Sequence, residues 1–159
     1  STFESKLPWL DEFLYGTSSN VVIFYNYVVE REAILELLKR NHKGRQVFRQ
    51  DGDKHEIPSN NKVGAWGGLH RTITLAQYQS GSTGVEMQYA DTIVFFSPQY
   101  SYTNHHQAIG RIERIGKQNH MTTYSMCATG TIERDIWRAL SRKMDFSAQI
   151  WYNENFENE

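Results

Sequence analysis

Gln107-Ala-Ile-Gly-Arg-Ile-Glu-Arg-Ile-Gly-Lys-Gln118 is the stretch on which the rest of the chain turns. On a helix, its Gln107, Arg111 and Arg114 stand at i, i+4 and i+7 and share one polar stripe. Ala108, Ile112 and Ile115 repeat that spacing one residue on, about 100° round the helix, and suit a core-facing stripe. Two guanidinium groups held on one face by a buried neighbouring face suit the delivery of charge to a polyanion such as a triphosphate. An exposed amphipathic helix with incidental arginines is the competing reading, and this helix alone does not separate the two.

The surrounding pattern alternates strands with helices. Phe3, Leu7, Leu10 and Leu14 mark an amphipathic first helix ending at Gly16, with Pro8 in its first turn, where a missing N–H costs little. Val21-Val-Ile-Phe-Tyr25 is continuously apolar, as expected of a strand covered on both faces. Residues 28–40 form a helix pattern with Ala33, Ile34, Leu37 and Leu38 inward and Glu30, Arg31, Glu36 and Lys39 outward. Further strands are expected at 45–49, 72–78, 92–96 and 121–128. Thr131 suits an N-cap, with Glu133 and Asp135 in the first turn, and Ile132, Ile136, Leu140 and Met144 form the buried stripe of the last helix. This order predicts an α/β domain with a mostly parallel sheet and helices on both faces. Residues 51–70 are polar, glycine-rich and weakly periodic, with Ile57, Val63 and Trp66 as candidate helix anchors. One domain over 1–152 is expected, followed by a disordered tail at 153–159.

Composition narrows the chemistry. A chain of 159 residues fits one domain with a real core. Its net charge of -1 provides no global basic field, although a groove can be locally basic. With 4 Trp, 9 Tyr and 8 Phe, some aromatics are expected at the surface as contacts. Cys127, the single cysteine, excludes an internal disulfide, fits a reducing compartment and is expected to be buried and inert in its strand. The longest apolar run, 21–25, is far too short to span a bilayer, so no membrane partner is expected. No signal-peptide pattern opens the chain, and a cytoplasmic location is expected, nucleoid-associated or, in a eukaryote, nuclear. His105 and His106 are adjacent and diverge on a helix, and His120 is distant, so no metal site is expected.

ATP hydrolysis requires a phosphate cradle, a magnesium carboxylate and a water-positioning group. The nearest approach to the P-loop pattern G-x-x-x-x-G-K-[ST] spans 110–117, with one residue too many between the glycines and Gln118 in place of Ser or Thr. No acidic pair follows an apolar strand, and Asp11-Glu12 falls on the first helix, where solvation is expected. The sequence therefore holds half of an ATPase site at most.

Gln79-Ser-Gly-Ser-Thr-Gly-Val-Glu-Met-Gln88 is a Gly/Ser/Thr-rich turn between two of the expected strands. With the Gln107–Gln118 run, it resembles motifs V and VI of superfamily two helicases, closest to the Swi/Snf-type branch, whose motif VI is Q-A-x-x-R-x-x-R-I-G-Q. Val21-Val-Ile-Phe-Tyr-Asn26 looks like motif IV, and Gly130-Thr-Ile-Glu-Arg-Asp-Ile136 is similar to the helix that closes the second RecA-like domain in that branch. The resemblance implies a RecA-like three-layer α/β domain, the second of two, with the P-loop and acidic motif on an N-terminal RecA-like domain of the same protein. It implies that Arg111 and Arg114 are arginine fingers, that Gln107 works at the same end of the site, and that Gly84 allows a tight turn at the cleft. Glu86 stands where the family often has Asn or Asp, near the ribose. ATP and Mg would be held mainly by the missing first domain. DNA, as duplex, would be gripped through its phosphate backbone by Asn26, Gln79, Ser80 and Ser82. Two departures stand out: Lys117 precedes Gln118 where the family continues directly with Gln, and 51–70 lacks the usual arginine-containing pattern. Implied is an ATP-dependent DNA helicase or translocase whose fragment is inactive alone. The alternatives are the motor half of a restriction or RNA-processing helicase, and a stand-alone binding or regulatory module with the same fold.

Overall fold

The expected strands form, and they form one sheet. The computed structural model describes residues 3–56, 71–78, 87–113, 121–128 and 130–157. A short 3-10 turn, Glu4–Lys6, leads into α1 (Leu7–Gly16), followed by β1 (Val21–Tyr25), α2 (Val28–Asn41), β2 (Val47–Gln50), β3 (Ile73–Gln77) and β4 (Thr92–Phe95). Then come α3 (Tyr102–Gly110), β5 (Thr122–Ser125), α4 (Glu133–Ser141) and α5 (Ala148–Tyr152), which continues as a π-helical turn, Asn153–Glu157. The sheet order is β2-β3-β1-β4-β5, and every pairing is parallel, with Val21 opposite Ile73 on one side and Thr92 on the other. Among the described residues, no helix is long and apolar enough to cross a membrane.

The continuous apolar run of β1 is explained by burial on both faces. Val21, Ile23 and Tyr25 pack with Leu10 and Leu14 of α1 and Ile34, Leu37 and Leu38 of α2. Val22 and Phe24 face the other way, toward Phe95, Ala108 and Ile112, with Trp137 of α4 at the margin. This is the three-layer RecA-like arrangement, a parallel sheet between two helical layers.

Several local expectations are corrected. Glu30 and Arg31, expected on the outer face of α2, are buried. Glu30 folds back to cap the start of its own helix, and Arg31 reaches toward Asp51, 3.7 Å away. Asp11, expected to be solvated, is bonded to His42 Nε2 at 2.8 Å and accepts from Asn41 Nδ2 at 3.2 Å, tying α1 to α2. Met144 is 57% exposed instead of extending the stripe of Ile136 and Leu140, because α4 ends at Ser141 and Lys143 turns the chain with φ 60°. Cys127 is exposed, since it follows an edge strand whose four residues are themselves exposed. Arg45 is not in a strand. Its buried guanidinium donates to the carbonyls of Leu14 (3.0 Å), Ser19 (3.3 Å) and Arg71, closing the C-terminal end of α1.

Candidate nucleic-acid interface and arginine helix

In a parallel sheet all strands end on one rim, and in open α/β sheets ligands lie beyond that rim, where the strand order reverses. Here Asn26 follows β1, Tyr78 follows β3, and Ser97, Pro98, Gln99 and Tyr100 follow β4. Asn26 Nδ2 donates to Ser97 Oγ at 2.9 Å and to the Pro98 carbonyl at 2.7 Å. Its main-chain carbonyl accepts from Gln77 Nε2 at 3.1 Å, and its Oδ1 takes a longer contact from Gln99 Nε2 at 3.4 Å. Both amide protons of Asn26 are thus spent inside the protein. Asn26, expected to touch nucleic acid, joins three strand ends through these bonds.

Glu30 anchors the brace from beneath. Its Oε1 accepts from the main-chain N–H of Asn26 and of Tyr27 and from Ser97 Oγ, each at 3.0 Å. Tyr78 donates its hydroxyl to the Ser97 carbonyl at 2.8 Å. Burial, reinforced by the charges of Glu30 and Glu133, pushes its pKa well above the usual phenol value, so it remains a neutral donor. Between these groups lies a cleft of about 240 Å³ lined by Asn26, Tyr27, Gln77, Tyr78, Pro98, Gln99 and Tyr100.

The arginine helix starts from the same rim. Ser101 caps α3, accepting from the Asn104 N–H at 3.2 Å. Nine residues at ~1.5 Å rise carry the chain about 13 Å back along the sheet before Arg111. Ala108 and Ile112 are buried as the stripe predicts. The helix was expected to run on through Ile115 but ends at Gly110, a residue of low helix propensity. The last turn tightens, with Ile112 N–H donating to the Ile109 carbonyl at 3.0 Å. Arg111 N–H still donates to the Gln107 carbonyl at 3.2 Å, and the Arg111 carbonyl accepts from Met87 N–H at 2.8 Å. Burial lowers the pKa of the Arg111 guanidinium. Gln107 is exposed one turn earlier. Gln107 and Arg111 thus lie one turn apart at the C-terminal end of α3, and Asn26 lies at the rim from which α3 starts. Arg114, Gly84, Glu86, Gln79, Ser80 and Ser82 lie outside the described residues.

The paired histidines diverge. His105 packs against Phe95 (4.6 Å between centroids) and Trp137 (5.6 Å), whereas His106 stacks on Tyr102 (5.6 Å). Among the described residues, no group of three His, Cys, Asp or Glu could hold a metal ion.

Sequence reasoning missed three supporting groups. Asp51 is fully buried and accepts from the N–H of Asp53 (2.8 Å) and Lys54 (3.1 Å) and from Arg49 Nε (2.9 Å). The Asp-Gly-Asp sequence was the available signal, since Asp favours such turns. Lys6 is buried with its ammonium 2.6 Å from both the Phe96 carbonyl and Glu133 Oε1, joining the first turn to α4 and the end of β4. Ser97, central to the rim, carried no signal beyond its place after an apolar strand.

The chain is similar to known proteins in sequence and in fold. Residues 5–116 match the family model described as the helicase conserved C-terminal domain. The DNA repair protein rhp54 of Schizosaccharomyces pombe is 24% identical over 156 residues, covering 94% of this chain and 18% of its own length. The chromatin-remodeling ATPase INO80 of Debaryomyces hansenii is 28% identical over 137 residues, covering 83% of this chain and 10% of its own. The crystal structure of the C-terminal part of the Fun30 ATPase domain superposes with a TM-score of 0.63 at 16% identity, over 86% of this chain and 47% of that one. The chain thus spans less than a fifth of either curated relative and about half of the solved chain.

Proposed function

The chain belongs to the helicase conserved C-terminal domain family, with relatives of Swi/Snf type, and from that premise we propose that it is the second motor domain of an ATP-dependent DNA helicase or translocase. The observation that carries this reading is the arginine helix. The family match runs through it, Ala108 and Ile112 bury its inner face, and Arg111 is held at its end by the Met87 contact.

In this reading residues 1–152 form the motor domain. Arg111 and Arg114 reach across an interdomain cleft and neutralise the charge that develops on the γ-phosphate, an effect of roughly 10³ to 10⁵ in turnover. Gln107 lies one turn before Arg111 and orients the same end of the site. Gly84 and Glu86 serve the nucleotide side. ATP and Mg are held mainly by an N-terminal RecA-like domain, because this sequence contains no P-loop. The domain alone therefore does not hydrolyse ATP. Duplex DNA is gripped through phosphates by Gln79, Ser80 and Ser82, while Asn26 braces the strand-end rim. Closure on ATP and opening after hydrolysis then alternate the grip of the two domains. The relatives are named for DNA repair and chromatin remodeling, which supports a nuclear setting in a eukaryotic host and gives no support to the cytoplasmic expectation.

The test is ATP hydrolysis by the full-length protein with duplex DNA, with RNA and with neither. Stimulation by duplex DNA, with an inactive isolated domain, is the expected result. Stimulation by RNA alone would favour an RNA-processing helicase. A full-length protein that binds nucleic acid without hydrolysing ATP would be a regulatory module.

A further inference from the structure

Building on the nucleic-acid reading of the strand-end rim, we infer that the cleft between Asn26, Gln77, Gln99 and the Tyr27 and Tyr100 rings takes one planar nucleobase, not a phosphate. Among the described residues, no charged side chain lines the cleft. Neutral amide and hydroxyl groups can touch a phosphate, but cationic side chains or free main-chain N–H groups are what hold the anion firmly. The N–H groups of Asn26 and Tyr27, at the start of α2, already go to the buried carboxylate of Glu30, whose negative charge beneath the rim opposes an anion.

What the cleft does offer fits a neutral heterocycle. Gln77 is fixed by its Nε2 bond to the Asn26 carbonyl, which leaves its Oε1 as a positioned acceptor that takes no bond from the described residues. Gln99 is held at both ends, by Asn26 Oδ1 at 3.4 Å and by the Ser101 N–H at 3.3 Å. Tyr27 is 60% and Tyr100 39% exposed. Tyr100 is steadied by Phe146, whose ring lies edge-on at 5.4 Å and whose N–H donates to the Tyr100 carbonyl at 2.9 Å. The volume, about 240 Å³, falls below the roughly 300–1,000 Å³ of pockets for drug-sized ligands, so one ring system suits it better than a whole nucleotide. Aromatic rings beside amide groups are the usual means of holding a base, and stacking tolerates any sequence. A base of a DNA strand can enter only where it is unpaired, so occupancy of this cleft marks an opened strand.

The experiment uses the full-length protein and its Tyr27→Ala and Tyr100→Ala variants, with Tyr27→Phe as the conservative control. Binding is measured to a single-stranded oligonucleotide, to the same strand with abasic sites, to duplex DNA and to adenosine monophosphate. The expected result is that Tyr100→Ala weakens single-strand binding about 5- to 150-fold, with no further loss on the abasic strand, unchanged duplex binding, and Tyr27→Phe close to wild type. If instead the variants lose only adenosine monophosphate, the site holds a base from a free nucleotide, and the strand source is overturned. Variants that bind every probe like wild type overturn the inference and leave the nucleic-acid reading intact. A wild-type protein that binds no nucleic acid overturns that reading, and the strand-base inference with it.

Discussion

Replacing Glu30 by Ala should unfold the candidate interface from within. Its Oε1 is the common acceptor for Asn26 N–H, Tyr27 N–H and Ser97 Oγ, each at 3.0 Å, and the side chain is 3% exposed. Hydrogen bonds to a charged group contribute about 1.5–3 kcal/mol each. Tyr27 is largely exposed, so its N–H recovers water and its share is discounted. The other two donors lie in one network and do not add independently. A loss of about 3–5 kcal/mol follows, a large part of the roughly 5–15 kcal/mol stability of a typical domain. Glu30→Gln keeps an acceptor oxygen in place and removes only the charge, so about 1–2 kcal/mol is expected. Equilibrium urea unfolding followed by circular dichroism measures both, and the slope of the transition checks that the native state is unchanged. An Ala variant within about 0.5 kcal/mol of wild type, the scatter of ordinary surface substitutions, would refute the keystone role.

Other consequences follow from buried charges. Arg45→Met should cost about 2–4 kcal/mol, because the carbonyls of Leu14, Ser19 and Arg71 lose their shared donor. A thermal midpoint unchanged by that substitution would argue against it. For Asp51, burial alone would raise the pKa, but the N–H groups of Asp53 and Lys54 and the Arg49 guanidinium hold the carboxyl below its usual value. Its contribution is therefore present above the unfolded pKa of about 3.9 and lost as pH falls through the lower folded value. Urea midpoints from pH 5 to 2 should fall less steeply in Asp51→Asn. Burial, and then the neighbouring His106, lower the pKa of His105. The unfolded chain then takes the proton first, so stability falls as pH drops below about 6.5. His105→Phe should remove that component between pH 7.5 and 5.5.

The elements set by local burial were readable in the sequence. Five apolar residues in a row at Val21–Tyr25 suited a strand covered on both faces, and Ile34, Leu37 and Leu38 marked the inner face of α2. What escaped was set by partners far away in the chain. Glu30 looked like a surface acid because its partner Ser97 lies 67 residues on, and Lys6 looked like an ordinary lysine because Glu133 lies 127 residues on. Periodicity carried the arginine stripe past Gly110, but the helix stops there, since a repeating pattern does not report where backbone propensity fails. Cys127 was expected to be buried because the sequence cannot show that β5 is an edge strand. Asn26 was placed on the right rim, but its role as a brace depends on Ser97 and Pro98 arriving beside it.

The arginine helix is central to the proposed motor function, and DNA-stimulated ATP hydrolysis by the full-length protein carrying Arg111→Ala tests it most directly. DNA affinity, measured alongside, reports that the fold survives. Turnover is expected to fall about 10³-fold or more with DNA affinity retained. Turnover equal to wild type would contradict it, and would leave Arg111 as a partly buried arginine at the end of an ordinary helix.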